Sequence, residues 1–265
     1  MNEPVVIQSR DNAQLKELRR LAHANTDYRK QGRIWVEGDH LVRAAMSRGV
    51  RPSLGVFSQS VWPLAHEQYG LAATKNIILP EALYAGLSAL ESPSRMGFVF
   101  DLPTTPELQS QMPSVVLDRV QDAGNVGAIL RSASAFGFKQ VIALKGTAAL
   151  WSPKVLRAGM GAHWGLQLLE SMDVRAVQQL TLPLLVTSSH QGPFLHEMLL
   201  NKELPTKCVW ALGHEGQGIS AALAALASKQ VRIAQPGGEE SLNVASAAAI
   251  CLHASATAAC RLSSG

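Results

Sequence analysis

The chain is 265 residues long and 47% hydrophobic, which is ample for packed cores and excludes wholesale disorder. Its formal net charge of +4 is mild, so the distribution of charge carries more than the total. Aromatics, at 5%, are too sparse for a groove that stacks single-stranded nucleic acid along many rings.

The opening residues, Met1 to Pro4, show no basic segment running into an apolar stretch, so a cytoplasmic location is expected. From Arg10 to Arg33 the basic residues Arg10, Lys16, Arg19, Arg20, Arg29, Lys30 and Arg33 outnumber Asp11, Glu17 and Asp27. Such a stretch is either a solvated helix face or the footprint of RNA, and these seven residues are the candidate RNA contacts. Strands are expected at Ile34 to Gly38, Leu54 to Ser58, Asn76 to Pro80 and Met96 to Phe100, with helical spacing at His40 to Arg48 and Glu81 to Leu90. The alternation implies a small α/β sandwich. Asp101 to Pro113 holds three prolines among polar residues and marks a linker, with residues 105–113 separating a first domain, 1–104, from a second, 114–265.

Alternation resumes after the linker. Strands are expected at Val115 to Leu117, Val141 to Leu144, Leu182 to Thr187, Cys208 to Leu212 and Val231 to Ala234, and helices starting near Asn125, Ser152, Ile219 and Asn243. Ser152 followed by Pro153 supplies a capping hydroxyl and then a first-turn proline that needs no amide hydrogen. A mostly parallel sheet covered by helices follows. Val244 to Cys260 approaches the length of a membrane span, but alanine and serine dominate it and His253 lies inside it, so it reads as a buried helix of a protein without a membrane partner. Cys208, Cys251 and Cys260 lack paired zinc spacing and read as buried thiols, while His196 beside Glu197 has no second histidine at helical spacing, so no metal is expected.

Ligands of open α/β sheets sit beyond the carboxyl ends of strands, and three loops in such places stand out. DRVQDAGNVGAILR, from Asp118 to Arg131, offers Gly124 and Gly127 and a capping Asn125. GHEGQGIS, from Gly213 to Ser220, has three glycines and one charge, Glu215. QPGGEESLN, from Gln235 to Asn243, offers Ser241 or Asn243 as a helix cap. Any one of these is explained by turns and caps alone. A phosphate loop, an HExxH helix and a GxGxxG after the first strand of the second domain are all absent, so a Rossmann dehydrogenase fits poorly. On the helix near Asn125, Val126, Ile129, Leu130, Ala133 and Phe136 share one face and Arg131 lies almost opposite.

Taken in order, the Asn125 to Arg131 pair, LGHEGQGIS and SLNVASAAA resemble the TrmH (SpoU) group of the SPOUT RNA methyltransferases over Val115 to Ala259. RIWVEGDHLVRAA and ESPSRMGFVF in the first half resemble the ribosomal-protein-like substrate-binding domain that precedes the catalytic domain in many of these enzymes. The resemblance implies a second domain of SPOUT α/β fold with a deep trefoil knot, a homodimer, and S-adenosyl-L-methionine as cofactor. It implies methyl transfer to a ribose 2'-hydroxyl of RNA, with 23S ribosomal RNA expected; a transfer RNA substrate and a non-catalytic RNA-binding relative stay open. Asn125, Arg131, Glu215, Ser241 and Asn243 match the family's functional positions, and Leu212, Gly213, Gly216, Gly218, Ile233, Ser241, Leu242 and Asn243 are the implied cofactor contacts. Ala123, Gly159 and His214 stand where the family usually has proline, serine and asparagine.

Overall fold

The computed structural model describes residues 3–88, 92–237 and 241–263, which form two compact units. The first comprises Met1–Thr104 and Trp151–Trp164, the second Thr105–Leu150 and Gly165–Gly265.

The first unit is a five-stranded sheet in the order β1-β4-β3-β5-β2, made of β1 (Val5–Val6), β2 (Arg33–Glu37), β3 (Leu54–Ser58), β4 (Lys75–Leu79) and β5 (Met96–Asp101). β3 and β4 are parallel, while β5 runs antiparallel to both β2 and β3. The helices are α1 (Ala13–His23), α2 (Asp27–Gln31), α3 (Asp39–Met46), α4 (Trp62–Tyr69) and α5 (Glu81–Ala85). α1, which the sequence reading did not delimit, starts where the Asn12 side chain accepts from the Leu15 amide at 3.2 Å. It buries Leu15, Leu18, Leu21 and Ala22, leaving the charged stripe outside. α5 ends at Ala85, with Gly86 as its C-cap, earlier than the expected helix, whose last residue Leu90 lies outside the described residues.

One segment departs from its expected place. α7 (Pro153–Gly159) begins as expected, with Ser152 Oγ accepting from the Val155 amide at 3.4 Å, but it packs on β2 and α1 of the first unit. Its apolar residues decide this: Pro153, Val155 and Leu156 are buried, Gly161 comes against Ala44, and the Trp164 ring lies 4.9 Å from that of Phe100.

The second unit is an all-parallel six-stranded sheet in the order β11-β9-β10-β6-β7-β8. Its strands are β6 (Ser114–Asp118), β7 (Gln140–Leu144), β8 (Gln167–Met172), β9 (Leu184–Thr187), β10 (Val209–Gly213) and β11 (Lys229–Val231), with α6 (Ala123–Ala135), α8 (Leu195–Leu200), α9 (Ala221–Ala224) and α10 (Val244–Ser263). β6, β7 and β10 are buried throughout and read as near-continuous apolar runs, as strands covered on both faces must. β8 escaped the sequence reading because polar Gln167 and Glu170 interrupt its pattern. β11 ends at Val231, not Ala234: its neighbour β9 stops at Thr187, the partner of Val231, and Arg232 beyond it makes only an isolated parallel bridge, with Phe194. Buried Gln140 ties the linker to the sheet. Its Nε2 donates to Ser114 Oγ at 2.8 Å and its Oε1 accepts from the Gln109 amide at 2.8 Å.

The alanine-rich run is α10, and it is buried on one face only. It packs on α6, α8 and β10, with Ala248, Cys251, Leu252, Ala254 and Ser255 inside. Ser246, Ile250, His253 and Cys260 are exposed, so neither the run nor all three thiols are buried as expected. The polar group its packing demands is satisfied, since Trp210 Nε1 donates to Ser255 Oγ at 2.9 Å.

Candidate functional site

The order of the second sheet reverses between β6 and β10. β7 and β8 extend one way from β6, and β9 and β11 lie on the other side, beyond β10. Such a switch point leaves a crevice beyond the strand ends. A cleft of about 780 Å³ opens on the β10 side of this point, lined at the ends of β9, β10 and β11 by Thr187, Gly213 and Val231; among the described residues nothing from β6 or the loop after it lines the cleft.

The loops are tied to one another around it. Asp118, at the end of β6, accepts from the Ser220 amide at 2.6 Å and from Arg119 Nε at 3.1 Å, and Arg119 reaches Gln217 Oε1 at 2.8 Å. Glu215 accepts from the Gln121 amide at 3.3 Å, the Asp122 amide at 3.2 Å and Asn125 Nδ2 at 3.1 Å. Asn243 Nδ2 then donates to Asn125 Oδ1 at 2.9 Å. The three glycine-rich loops thus meet in one chain, Glu215 to Asn125 to Asn243. Burial pushes the Glu215 carboxyl up, but the Asn125 amide and the backbone donors outweigh it and hold it below the usual carboxylate range.

Against the expectation from the sequence, Asn125 does not cap its helix. α6 begins two residues earlier, and Asp122 Oδ1 is the cap, accepting from the Asn125 amide at 2.7 Å. That frees the Asn125 side chain to bridge two loops. Asn243 does cap α10, with Oδ1 accepting from the Ala245 amide at 2.9 Å and the Ser246 amide at 3.2 Å. Ser241 and Leu242 line the cleft, as do Gly216, Gly218 and Ile233, whereas Leu212 is fully buried within β10 and the lining begins at Gly213.

Two of the loop's glycines are required by the backbone. A Cβ on Gly213 would collide with the backbone at Gly218 and Ile219, and Gly218 holds φ +66°, which L side chains rarely adopt. Gln235 also lines the cleft, and its Oε1 is buried without a hydrogen-bond partner among the described residues. A tightly folded glycine loop and an unsatisfied acceptor suit a polar organic ligand. The sequence reading missed one lining loop, Thr187, Ser188, Ser189 and His190, which follows β9, and the loop it placed first, Asp118 to Arg131, is bonded to the lining loops without lining the cleft itself. Its position after a strand was the available signal; without a glycine cluster it did not stand out.

Arg131 is exposed on the face of α6 opposite Val126, Ile129, Leu130 and Ala133, all buried, and makes no hydrogen bond or ion pair among the described residues. Phe136 is only half-buried and meets the His253 ring edge-on at 5.4 Å. In the first unit the basic residues divide. Lys16 pairs with Asp11 at 2.9 Å, Arg33 with Glu17 at 3.2 Å, Arg29 bonds Tyr28 Oη at 3.0 Å, and Arg19 reaches the Arg10 carbonyl at 3.5 Å. The side chains of Arg10, Arg20 and Lys30 are exposed and uncommitted among the described residues.

Residues 112–253 match the model of the SpoU rRNA Methylase family. An uncharacterized tRNA/rRNA methyltransferase of Synechocystis is 30% identical over 263 residues, covering 93% of this chain and 92% of its own. The 23S rRNA (guanosine(2553)-2'-O)-methyltransferase RlmP of Bacillus subtilis is 28% identical, covering 93% and 97%. Among solved structures, a TrmH-family RNA methyltransferase of Porphyromonas gingivalis superimposes with a TM-score of 0.76 at 31% identity, covering 93% of this chain and 98% of that one.

Proposed function

This chain belongs to the SpoU rRNA methylase family, and from that membership and the cleft we infer that it methylates ribose 2'-hydroxyls of RNA with S-adenosyl-L-methionine. The observation that carries the reading is a cleft over the ends of β9, β10 and β11, lined by the glycine-rich loops after β10 and β11, with the loop after β6 bonded to both through Asn125, Glu215 and Asn243. The substrate proposed is 23S ribosomal RNA, by analogy with the Bacillus relative.

S-adenosyl-L-methionine supplies an electrophilic methyl group on a sulfonium. Backbone from Gly213 to Gly218, with Ile233, Leu242 and Gln235, would hold its adenosine and methionine portions in the cleft. Methyl transfer forms an oxygen–carbon bond, breaks a carbon–sulfur bond and releases the hydroxyl proton. A guanidinium, with a pKa above about 12, is a poor base, so Arg131 is assigned to hold the RNA phosphate and stabilise the developing alkoxide. Asn125, Glu215 and Asn243 keep the loops in register while this happens.

The exposed faces of α6 and α10 support a homodimer in which a second copy covers them and brings Arg131 to a reaction centre. A knotted carboxyl-terminal region of the SPOUT type belongs to the same reading. So does assignment of the first unit to RNA capture, through Arg10, Arg20 and Lys30, in the cytoplasm. Incubation with labelled S-adenosyl-L-methionine and ribosomal RNA should give 2'-O-methylnucleosides on digestion and mass spectrometry. Binding of the cofactor without methyl incorporation into any cellular RNA would sink the enzymatic reading.

A further inference from the structure

The loop after β10 is held by a side chain whose bonding specifies its own protonation. The Gly216 and Gln217 amides both point at His214 Nδ1, at 3.0 and 3.2 Å. The loop is closed beneath the ring by a reciprocal backbone pair, the His214 amide to the Gly218 carbonyl at 3.0 Å and the Gly218 amide to the His214 carbonyl at 2.8 Å. A backbone N–H can only donate, so Nδ1 must present a lone pair, and the neutral ring then carries its proton on Nε2. The fold therefore selects the tautomer. Among the described residues Nε2 has no partner, although the ring lines the cleft.

We propose that His214 is a positioning residue for the methyl donor: Nδ1 fixes the 213–218 loop while Nε2–H donates a hydrogen bond to an acceptor atom of S-adenosyl-L-methionine. This rests on the cleft being the cofactor site. The cofactor offers such acceptors in its ribose hydroxyls, its carboxylate and its ring nitrogens. A neutral donor also suits the ligand's charge. A protonated imidazole would set a second cation beside a sulfonium and, by placing a proton on Nδ1, break both loop bonds at once. The charged groups tied to this loop are Glu215 within it and, from the end of β6, Asp118 and Arg119, which bond Ser220 and Gln217. His190, on the loop after β9, also lines the cleft.

The test is titration calorimetry of the full chain with S-adenosyl-L-methionine. His214→Asn keeps an acceptor within reach of the Gly216 and Gln217 amides, in the manner of an Asx turn, but loses the ring's donor. It should bind the methyl donor about tenfold more weakly at neutral pH with an unchanged melting temperature, as expected for loss of one ligand hydrogen bond. Nitrogen-15 spectra of the wild type should show the Nε2–H tautomer. Wild-type affinity in His214→Asn or an Nδ1–H tautomer would each overturn the proposal. Gly213→Ala separates the two levels: a folded variant that still binds the cofactor normally overturns the cleft assignment and this inference with it. If Gly213→Ala abolishes binding while His214→Asn has no effect, the cleft stands and the role of His214 falls.

Discussion

Glu215 is exposed, yet it receives three donors from the turn ahead of α6 and the first turn of that helix, and its charge is what satisfies them. Glu215→Gln would set an amide N–H against a backbone donor, so cofactor affinity should fall by about tenfold or more in calorimetry. The carboxyl sits below its ordinary range, so this contribution is fully present above the unfolded value of about 4.3 and disappears only as pH falls through the lower folded value. The Asn125 side-chain amide resonance should therefore hold steady down to about pH 4.5. A change already complete between about pH 5 and 6 would remove Glu215 as its cause. Among the described residues Arg131 has no partner to lose, so Arg131→Ala should leave folding and cofactor affinity within a few-fold while slowing single-turnover methylation by about a hundredfold or more. Lysine should rescue it poorly, because a point charge lacks the planar fork. Near-normal methylation by the alanine variant would return Arg131 to the status of surface charge.

At the level of elements, α6 and α10 each depend on a polar contact that their sequences only half reveal. Asp122 caps α6 in place of Asn125, so Asp122→Ala should cost about 0.5–2 kcal/mol, while Asn125→Ala should cost little stability and much activity. Denaturant melts of the two variants, set beside their methylation rates, check this, and equal destabilisation would contradict the cap assignment. Ser255→Ala should be the more damaging change in α10. It strands the fully buried Trp210 Nε1–H, at a cost of about 1–3 kcal/mol, and should show as a lower midpoint with an unchanged denaturant slope.

Across the whole molecule, seven basic residues drawn from one stretch of sequence do not form one equivalent cluster. Lys16 and Arg33 already have acidic partners, whereas among the described residues Arg20 and Lys30 have none. Charge reversal of Arg20 and Lys30 should weaken RNA binding and reduce the salt slope by about 0.7 for each phosphate of single-stranded RNA that is no longer neutralised. The same change at Lys16 and Arg33 should do less, since their ion pairs compete with phosphate. Filter binding across a salt series that ranks the pairs the other way would reject the first unit's uncommitted cations as the RNA-binding groups. The segment 151–164 adds a second whole-molecule expectation. A fragment ending at Thr104 lacks the Trp164 ring that packs on Phe100, so it should melt below the intact chain's first unit in a scan that resolves the two.

By itself the sequence determined the alternation of strands and helices, the placing of three glycine-rich loops after strands, and the outward position of Arg131. These follow from local periodicity and from glycine and capping chemistry, which act over a few residues. The motif order was equally legible and carried the resemblance to the family. Only the tertiary structure decided that Asn125 bridges rather than caps, because that depended on Asp122 beginning α6 and on Glu215 arriving from ninety residues away. It alone assigned α7 to the first unit, brought Thr187 to His190 to the cleft, ended β11 where β9 ran out of partners, and left α10 open along one face. Each of these turns on which distant surface a residue meets, and contacts of that kind are set by packing across the sheet rather than by spacing along the chain.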